Sequence, residues 1–213
     1  MIPAAAPDTP PLRAGLAWSV HLLTASGAVI GVLALLAAAG GDLRQAGLWM
    51  LVALAIDSVD GTLARRARVQ EILPGIDGRR LDDIVDYLNY AVVPAVFLVW
   101  SGSVPHWLFA ALPVAASAYG FAQTEAKTED DFFLGFPSYW NVVALYVWQL
   151  GLSPEAAAAW IVGLSAAVFV PLKYVHASQM TRFSLPTNLG AVLWMLAMAA
   201  AIAWPELAER APL

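Results

Sequence analysis

Residues 57–86 read DSVDGTLARRARVQEILPGIDGRRLDDIVD, an acidic stretch inside a chain that is otherwise strongly apolar. Seven of the 16 acidic residues lie in this stretch, among them Asp57, Asp60, Asp82 and Asp86. A carboxylate at the centre of a membrane helix costs about 3 kcal/mol on insertion scales, so such residues are retained where they have a function. The four regularly spaced aspartates therefore predict a site that holds divalent metal.

Composition predicts that the rest of the chain is embedded in a lipid bilayer. Of the 213 residues, 60% are hydrophobic and 13% are charged, and the mean hydropathy is +0.68. This composition argues against a water-soluble domain. The absence of cysteine excludes disulfides, thiolate metal sites and cysteine nucleophiles. The net charge of -5 reflects the local acidic cluster, and no nucleic-acid partner is expected.

Seven hydrophobic runs predict an all-α, polytopic bundle of about seven transmembrane helices. No linker or repeat divides the chain, so residues 1–213 are expected to form a single membrane domain. Only Arg13 precedes the first run as a basic residue, which favours a retained helix over a cleaved signal peptide. The runs span residues 15–39, 46–66, 80–101, 107–124, 139–152, 155–173 and 187–204.

The basic residues predict the orientation of this bundle. Nine of the 11 Lys and Arg residues lie on one side, which the positive-inside rule places in the cytoplasm. The N-terminus is then cytoplasmic, the C-terminus is outside, and the aspartates lie at the cytoplasmic ends of the second and third helices. The cytoplasmic set is Arg13, Arg65, Arg66, Arg68, Arg79, Arg80, Lys127, Lys173 and Arg182, with Arg44 and Arg210 on the other side.

Helical periodicity places the acidic stretch on two helix faces. We expect these faces to meet, so that repulsion among the carboxylates must be cancelled by cations, and oxygen ligands favour Mg²⁺ or Mn²⁺. Gly61 and Ala64 leave room for a bulky anionic group, and Arg65 supplies a bidentate phosphate clamp. This pattern predicts a pyrophosphate site. One face consists of Asp57, Asp60, Gly61, Ala64 and Arg65, and the other of Gly78, Asp82 and Asp86.

The pattern D-x-x-D-G-x-x-A-R, a spacer and G-x-x-x-D-x-x-x-D resembles the signature of the CDP-alcohol phosphotransferases, with every fixed position present. Twelve residues, 66–77, separate Arg65 from Gly78, whereas most members of that family have eight. The longer spacer is similar to that of the bacterial phosphatidylcholine synthases. Segments 19–27, 127–141 and 185–190 also resemble this subfamily, whose members usually continue with a further helix after the segment that matches 187–204.

This resemblance implies a six-helix CDP-alcohol phosphotransferase-like core in a multi-pass protein of the bacterial inner membrane. It implies a phosphatidylcholine synthase that transfers the phosphatidyl group of CDP-diacylglycerol to choline, releases CMP and uses two ions of Mn²⁺ or Mg²⁺. Membrane lipids are further expected partners, and the resemblance leaves open whether the chain forms a homodimer. The metal ligands would be Asp57, Asp60, Asp82 and Asp86, and Asp86 would also be the general base. The CDP moiety would contact Asp57, Asp60, Gly61, Ala64, Arg65 and Gly78.

The acceptor alcohol is left open by this signature. Choline carries a quaternary ammonium, whose recognition needs aromatic faces and nearby negative charge. The candidates are Tyr87, Tyr90, Tyr119, Trp140 and Glu125. Aromatic residues at membrane interfaces also serve as lipid anchors, which is the alternative for each of them. Serine, glycerol 3-phosphate and inositol remain alternative acceptors, and a cation transporter is the alternative from a different class.

Two other polar residues are open to more than one interpretation. His21 belongs to a polar stripe of the first helix, and it either faces the nucleotide or hydrogen-bonds a neighbouring helix. Asp83 lies off the register of the signature, and we interpret it as solvated or paired with Arg79 or Arg80.

Overall fold

The computed structural model describes residues 5–7, 9–123, 132–175 and 184–206. These residues are mostly helical, which confirms the predicted all-α membrane bundle, and each of the seven predicted runs contains a helix. A π-helical turn, Leu88–Val92, joins two of the helices. The helices are α1 (Pro11–Ala39), α2 (Leu43–Arg66), α3 (Val69–Ile72), α4 (Gly78–Tyr87), α5 (Val93–Trp100), α6 (Trp107–Ala122), α7 (Trp140–Gln149), α8 (Pro154–Ala167) and α9 (Ser184–Ala203).

Four segments of the described chain are long and apolar enough to cross a membrane, judged by length and composition. Three of them lie in α1, α2 and α9, and the fourth runs from α4 through the π turn to the end of α5. The helices α6, α7 and α8 have 16, 10 and 14 residues, fewer than the roughly 20 that a full span needs. Among these shorter helices, α6 packs on α8, and α7 packs on α5.

The pair α1 and α2 makes the most extensive helix–helix contact among the described residues. On another face, α1 approaches α4 closely, because a Cβ placed on Gly27 would lie 2.8 Å from Cγ1 of Val85. The main core lies further from the acidic stretch and joins α5, α7, α8 and α9. Its fully buried side chains include Phe97, Leu145, Ile161 and Ile202.

The π turn has a local cause in Pro94, the second residue of α5. Proline has no N–H, and its ring clashes with the carbonyl of the residue four positions earlier, which here is Tyr90. The backbone widens at this point, and the Val93 N–H donates to the Leu88 carbonyl, five residues back. The extra residue in the turn leaves both Asn89 and Tyr90 buried, at 7% and 6% exposure.

Two short strands, β1 (Phe132–Leu134) and β2 (Lys173–Val175), pair antiparallel, although the sequence pattern predicts no strand here. The pairing continues beyond β1, because the Gly135 N–H donates to the Leu172 carbonyl at 2.9 Å. Gly135 has a φ of +81°, and its backbone lies so close to the Val168 carbonyl that a side chain would not fit. This pairing joins segments about 40 residues apart, so no local periodicity reports it, and it ties the approach to α7 to the end of α8.

Candidate active site

Three of the predicted carboxylates converge between α2 and α4. One oxygen each of Asp57, Asp82 and Asp86 lies within 4.8 Å of the other two, and all three side chains are half-buried. Oxygen ligands on opposite sides of Mg²⁺ or Ca²⁺ lie about 4–5 Å apart, so the donor atoms and their spacing fit a hard divalent cation. We call Asp57, Asp82 and Asp86 the carboxylate triad, and its geometry can hold a metal ion.

Asp60 does not join the carboxylate triad. It lies one turn further along α2, is only 4% exposed, and accepts a hydrogen bond from the Thr24 hydroxyl at 2.7 Å. It still lines the same cavity as Asp57 and Asp86. The expected convergence of four carboxylates therefore holds for three, because a donor on α1 binds the fourth. The polar stripe on the first helix contains Thr24, but the sequence alone does not pair it with Asp60.

The π turn adds two polar side chains to this cavity. The Tyr90 hydroxyl donates to Oδ2 of Asp57 at 2.5 Å. The Asn89 amide donates to the Gly27 carbonyl at 3.0 Å, and so connects α1 to the π turn. The other amide atom, Oδ1 of Asn89, is buried and has no hydrogen-bond partner among the described residues. Tyr90 and Asn89 both line the cavity beside Asp57 and Asp86.

The residues predicted to contact CDP continue along α2 beyond the carboxylate triad. Arg65 is exposed, its guanidinium donates to the Thr62 hydroxyl at 3.1 Å, and Nη1 lies 3.5 Å from the position of a Cβ on Gly61. The guanidinium thus lies over Gly61, where no side chain obstructs it. Ala64 is half-buried one turn beyond Asp60. This end of α2 presents a cation that an anionic group can reach.

Gly78, the other glycine of the signature, begins α4 and lies against His21 of α1. A Cβ on Gly78 would lie 3.0 Å from Cε1 of His21, so the two helices approach closely here. His21 is 7% exposed, and its buried Nε2 has no hydrogen-bond partner among the described residues. The structure therefore places His21 beside the signature glycine without a helix–helix hydrogen bond through Nε2.

Two tyrosines predicted to contact choline lie outside the cavity. The Tyr87 hydroxyl donates to the Val114 carbonyl at 3.1 Å, which joins α4 to α6. Tyr119 is 50% exposed, and its ring lies 4.8 Å from that of Phe169. Glu125, predicted to supply negative charge, lies outside the described residues. A role in choline binding remains a prediction for these residues, and the geometry of the two tyrosines does not support it.

Trp140 is part of the protein interior. Its side chain is fully buried, its indole N–H donates to the Ser117 hydroxyl at 2.9 Å, and that hydroxyl donates to Ser138 at 3.0 Å. The ring also contacts Phe136 edge to face, at 5.1 Å between centroids. These contacts are those of a packing residue, and the described structure offers no open face of Trp140 for a ligand. Sequence position at a helix start did not reveal this burial.

The fold and the site together define an all-helical membrane protein with a carboxylate triad that can hold a metal ion between two helices. No protein-family model matches the chain. The chain is 37% identical over 190 residues to a phosphatidylcholine synthase of Pseudomonas aeruginosa, an alignment that covers 87% of this chain and 79% of the relative. It is 48% and 42% identical to the phosphatidylcholine synthases of Legionella bozemanae and Legionella pneumophila, of which it spans 64% and 66%.

The chain belongs to the phosphatidylcholine synthase family. The resemblance inferred from residues 57–86 is thereby confirmed at the level of the family. The alignments cover 62% and 77% of this chain for the two Legionella relatives, so the similarity extends well beyond the signature.

Proposed function

We propose that this chain is a phosphatidylcholine synthase that transfers the phosphatidyl group of CDP-diacylglycerol to choline and releases CMP. The convergence of Asp57, Asp82 and Asp86 carries this proposal, because it supplies the site that such a transfer needs. Family membership supports the product. The chain acts as one membrane domain, and the basic residues near the ends of α2 and α4 favour a site on the cytoplasmic face of the bacterial inner membrane.

Two ions of Mn²⁺ or Mg²⁺ are the proposed cofactor. The carboxylate triad would hold them, with Asp60 at the edge of the same cavity. When bound, divalent cations supply positive charge beside the pyrophosphate and stabilise the charge that develops on the leaving CMP. The donor atoms support this choice, because every side chain of the triad offers oxygen, which Mg²⁺ and Mn²⁺ prefer.

Asp86 is the proposed general base. Its side chain belongs to the carboxylate triad, with one oxygen within 4.8 Å of an oxygen of Asp57 and of Asp82. Asp86 takes the proton of the choline hydroxyl as the choline oxygen forms a bond to the phosphorus that carries diacylglycerol. The bond from that phosphorus to the CMP oxygen breaks, and CMP leaves with the electron pair. No covalent bond to the enzyme forms in this sequence.

The nucleotide and its phosphates are proposed to lie along α2 and the start of α4. Gly61 leaves space beside α2, Ala64 adds only a methyl group, and Gly78 allows the start of α4 to approach His21 of α1 closely. The exposed guanidinium of Arg65 is placed over Gly61 and can donate to phosphate oxygens in pairs. These residues bind and orient the donor, whereas Asp86 acts on the acceptor.

Tyr90 is the proposed aromatic contact of choline. Of the aromatic residues predicted for this role, it is the one that lines the cavity with Asp57 and Asp86 in the described part of the chain. Its ring lies 6.1 Å from that of Tyr139, tilted by 54°. A quaternary ammonium beside these rings would benefit from their π faces and from the nearby carboxylates.

The experiment that tests the proposal is CMP release by the purified protein in detergent, with CDP-diacylglycerol and Mn²⁺. Choline, serine, glycerol 3-phosphate and inositol are supplied one at a time, and the lipid product is identified. CMP release with choline, accompanied by phosphatidylcholine and abolished by EDTA, is the expected result. Release with a different alcohol would overturn the choice of acceptor, and no release with any alcohol from folded protein would overturn the assignment of a transferase.

A further inference from the structure

The hydrogen bond between Tyr90 and Asp57 joins the π turn to the carboxylate triad. The donor is the tyrosine hydroxyl, the acceptor is Oδ2 of Asp57, and the distance is 2.5 Å. Bonds from a hydroxyl to an ionised carboxylate are short and roughly twice as strong as bonds between neutral groups. Because Tyr90 is only 6% exposed, water does not compete freely for this contact.

The hydrogen bond from Tyr90 restricts the orientation of Asp57, one of the three carboxylates of the triad. Asp57 is the one member of the triad contributed by α2, whereas Asp82 and Asp86 lie on α4. A carboxylate held at one oxygen cannot rotate freely about its Cβ–Cγ bond, so its orientation toward the α4 carboxylates is set before any ligand arrives. Side chains that hydrogen-bond metal ligands in this way orient the ligand and tune the affinity of the site.

The π turn determines where the side chain of Tyr90 lies. Pro94 has no N–H to donate to the Tyr90 carbonyl, and the π turn before it directs both Asn89 and Tyr90 into the protein interior. Asn89 lines the same cavity and is 7% exposed, and its Oδ1 atom faces Gly31 of α1 without a hydrogen-bond partner among the described residues.

We propose that Tyr90 is a positioning residue for the metal site, whose hydroxyl orients Asp57 for cation binding. This inference rests on the proposed function, because it takes the carboxylate triad as the metal site of the transferase. In the proposed function the ring of Tyr90 contacts choline, whereas its hydroxyl donates to Asp57. The two roles are separable, because Tyr90→Phe removes the hydroxyl and keeps the ring.

The test measures Mn²⁺ binding to purified protein in detergent, without donor or acceptor, from the electron paramagnetic resonance signal of free Mn²⁺. Tyr90→Phe is expected to raise the dissociation constant by roughly 10–100-fold. Tyr146→Phe is the matched control, because the hydroxyl of Tyr146 on α7 accepts a hydrogen bond from the indole N–H of Trp194 on α9 and does not line the cavity. It is expected to bind Mn²⁺ as the unmodified protein does. Equal affinity of Tyr90→Phe and the unmodified protein would overturn the proposal.

A second measurement, a Mg²⁺ titration of the unmodified protein, does not depend on whether a Tyr90 variant folds. Mg²⁺ added to the unmodified protein withdraws electron density from Asp57 and should change the near-ultraviolet absorption of the tyrosine bonded to it. The same titration of Asp57→Asn is expected to give no such change. A Mg²⁺ titration that leaves the tyrosine band of the unmodified protein unaltered would also overturn the proposal.

The outcome is independent of the test of function. Normal Mn²⁺ affinity of Tyr90→Phe in a chain that releases CMP with choline would refute the positioning role alone. Weakened Mn²⁺ binding in a chain that uses another acceptor, or none, would support the positioning role and refute the proposed reaction.

Discussion

Replacing Asp86 with Asn is expected to stop turnover and, at the same time, to make the metal-free protein more stable. The substitution removes one of the three ionisable carboxyl groups of the carboxylate triad. It keeps the size and shape of the side chain. The two effects are opposite because the charge serves catalysis and metal binding, whereas without metal it only repels its neighbours.

The size of the stability gain follows from the spacing of the carboxylates. Two unit charges 4.8 Å apart repel by about 3.5 kcal/mol at an effective dielectric constant of about 20. The three groups are half-buried, so proton uptake and contact with water relieve part of this repulsion. We therefore expect the free energy of unfolding without metal to rise by about 1–3 kcal/mol, or about 2–4 °C in Tm for each kcal/mol.

The assay follows thermal unfolding in detergent by intrinsic fluorescence, first with EDTA and then with Mn²⁺, and measures CMP release in parallel. Mn²⁺ should raise the Tm of the unmodified protein much more than that of Asp86→Asn, and loss of the base should lower turnover by about 10²–10⁴-fold. Asp83→Asn is the control, because it removes the same charge from α4 outside the triad. A Tm of Asp86→Asn below that of the unmodified protein in EDTA would refute the repulsion within the triad, and a normal rate of turnover would refute the role of Asp86 as the base.

Two further substitutions test the contacts that the sequence did not reveal. Thr24→Val keeps the shape of the side chain but removes the hydroxyl that donates to the buried Asp60. The loss of this hydrogen bond should lower the free energy of unfolding by about 1.5–3 kcal/mol. An unchanged Tm in detergent would contradict this expectation. Trp140→Phe removes the indole N–H that donates to Ser117. It should lower the free energy of unfolding by about 1–3 kcal/mol and leave the KM for choline unchanged. A raised KM with normal stability would instead identify Trp140 as a choline contact.

Local pattern was sufficient for the helices and for the two acidic faces. The apolar runs exceed the length of ordinary buried strands, and a bilayer leaves helices as the way to satisfy their backbone. The spacing of Gly78, Asp82 and Asp86 at every fourth residue is a property of one helix turn, so α4 presents them together whatever it packs against. The same applies to Gly61 and Arg65 on α2, where the guanidinium lies over the glycine.

Contacts between segments that are distant in the sequence could not be predicted from local pattern. Asp60 and Asp57 share a helix face, but only the approach of α1 gives Asp60 the hydroxyl of Thr24 as its partner and leaves it apart from the triad. Trp140 and Tyr87 are aromatic residues of the kind that bind choline. In the structure, however, both side chains donate hydrogen bonds to residues of α6 and pack against that helix. The paired strands β1 and β2 likewise depend on residues about 40 positions apart.

The sequence by itself determined that this protein is a helical membrane protein with a signature of aspartates, because both follow from periods of a few residues and from the cost of charge in lipid. Only the tertiary structure decided which oxygens meet and which donors hold them. Asp57 comes within 4.8 Å of Asp82 and Asp86 because α2 lies near α4, and it accepts a hydrogen bond from Tyr90 because the π turn places that side chain beside it. Such contacts depend on how helices pack across long sequence separations, which a local pattern does not encode.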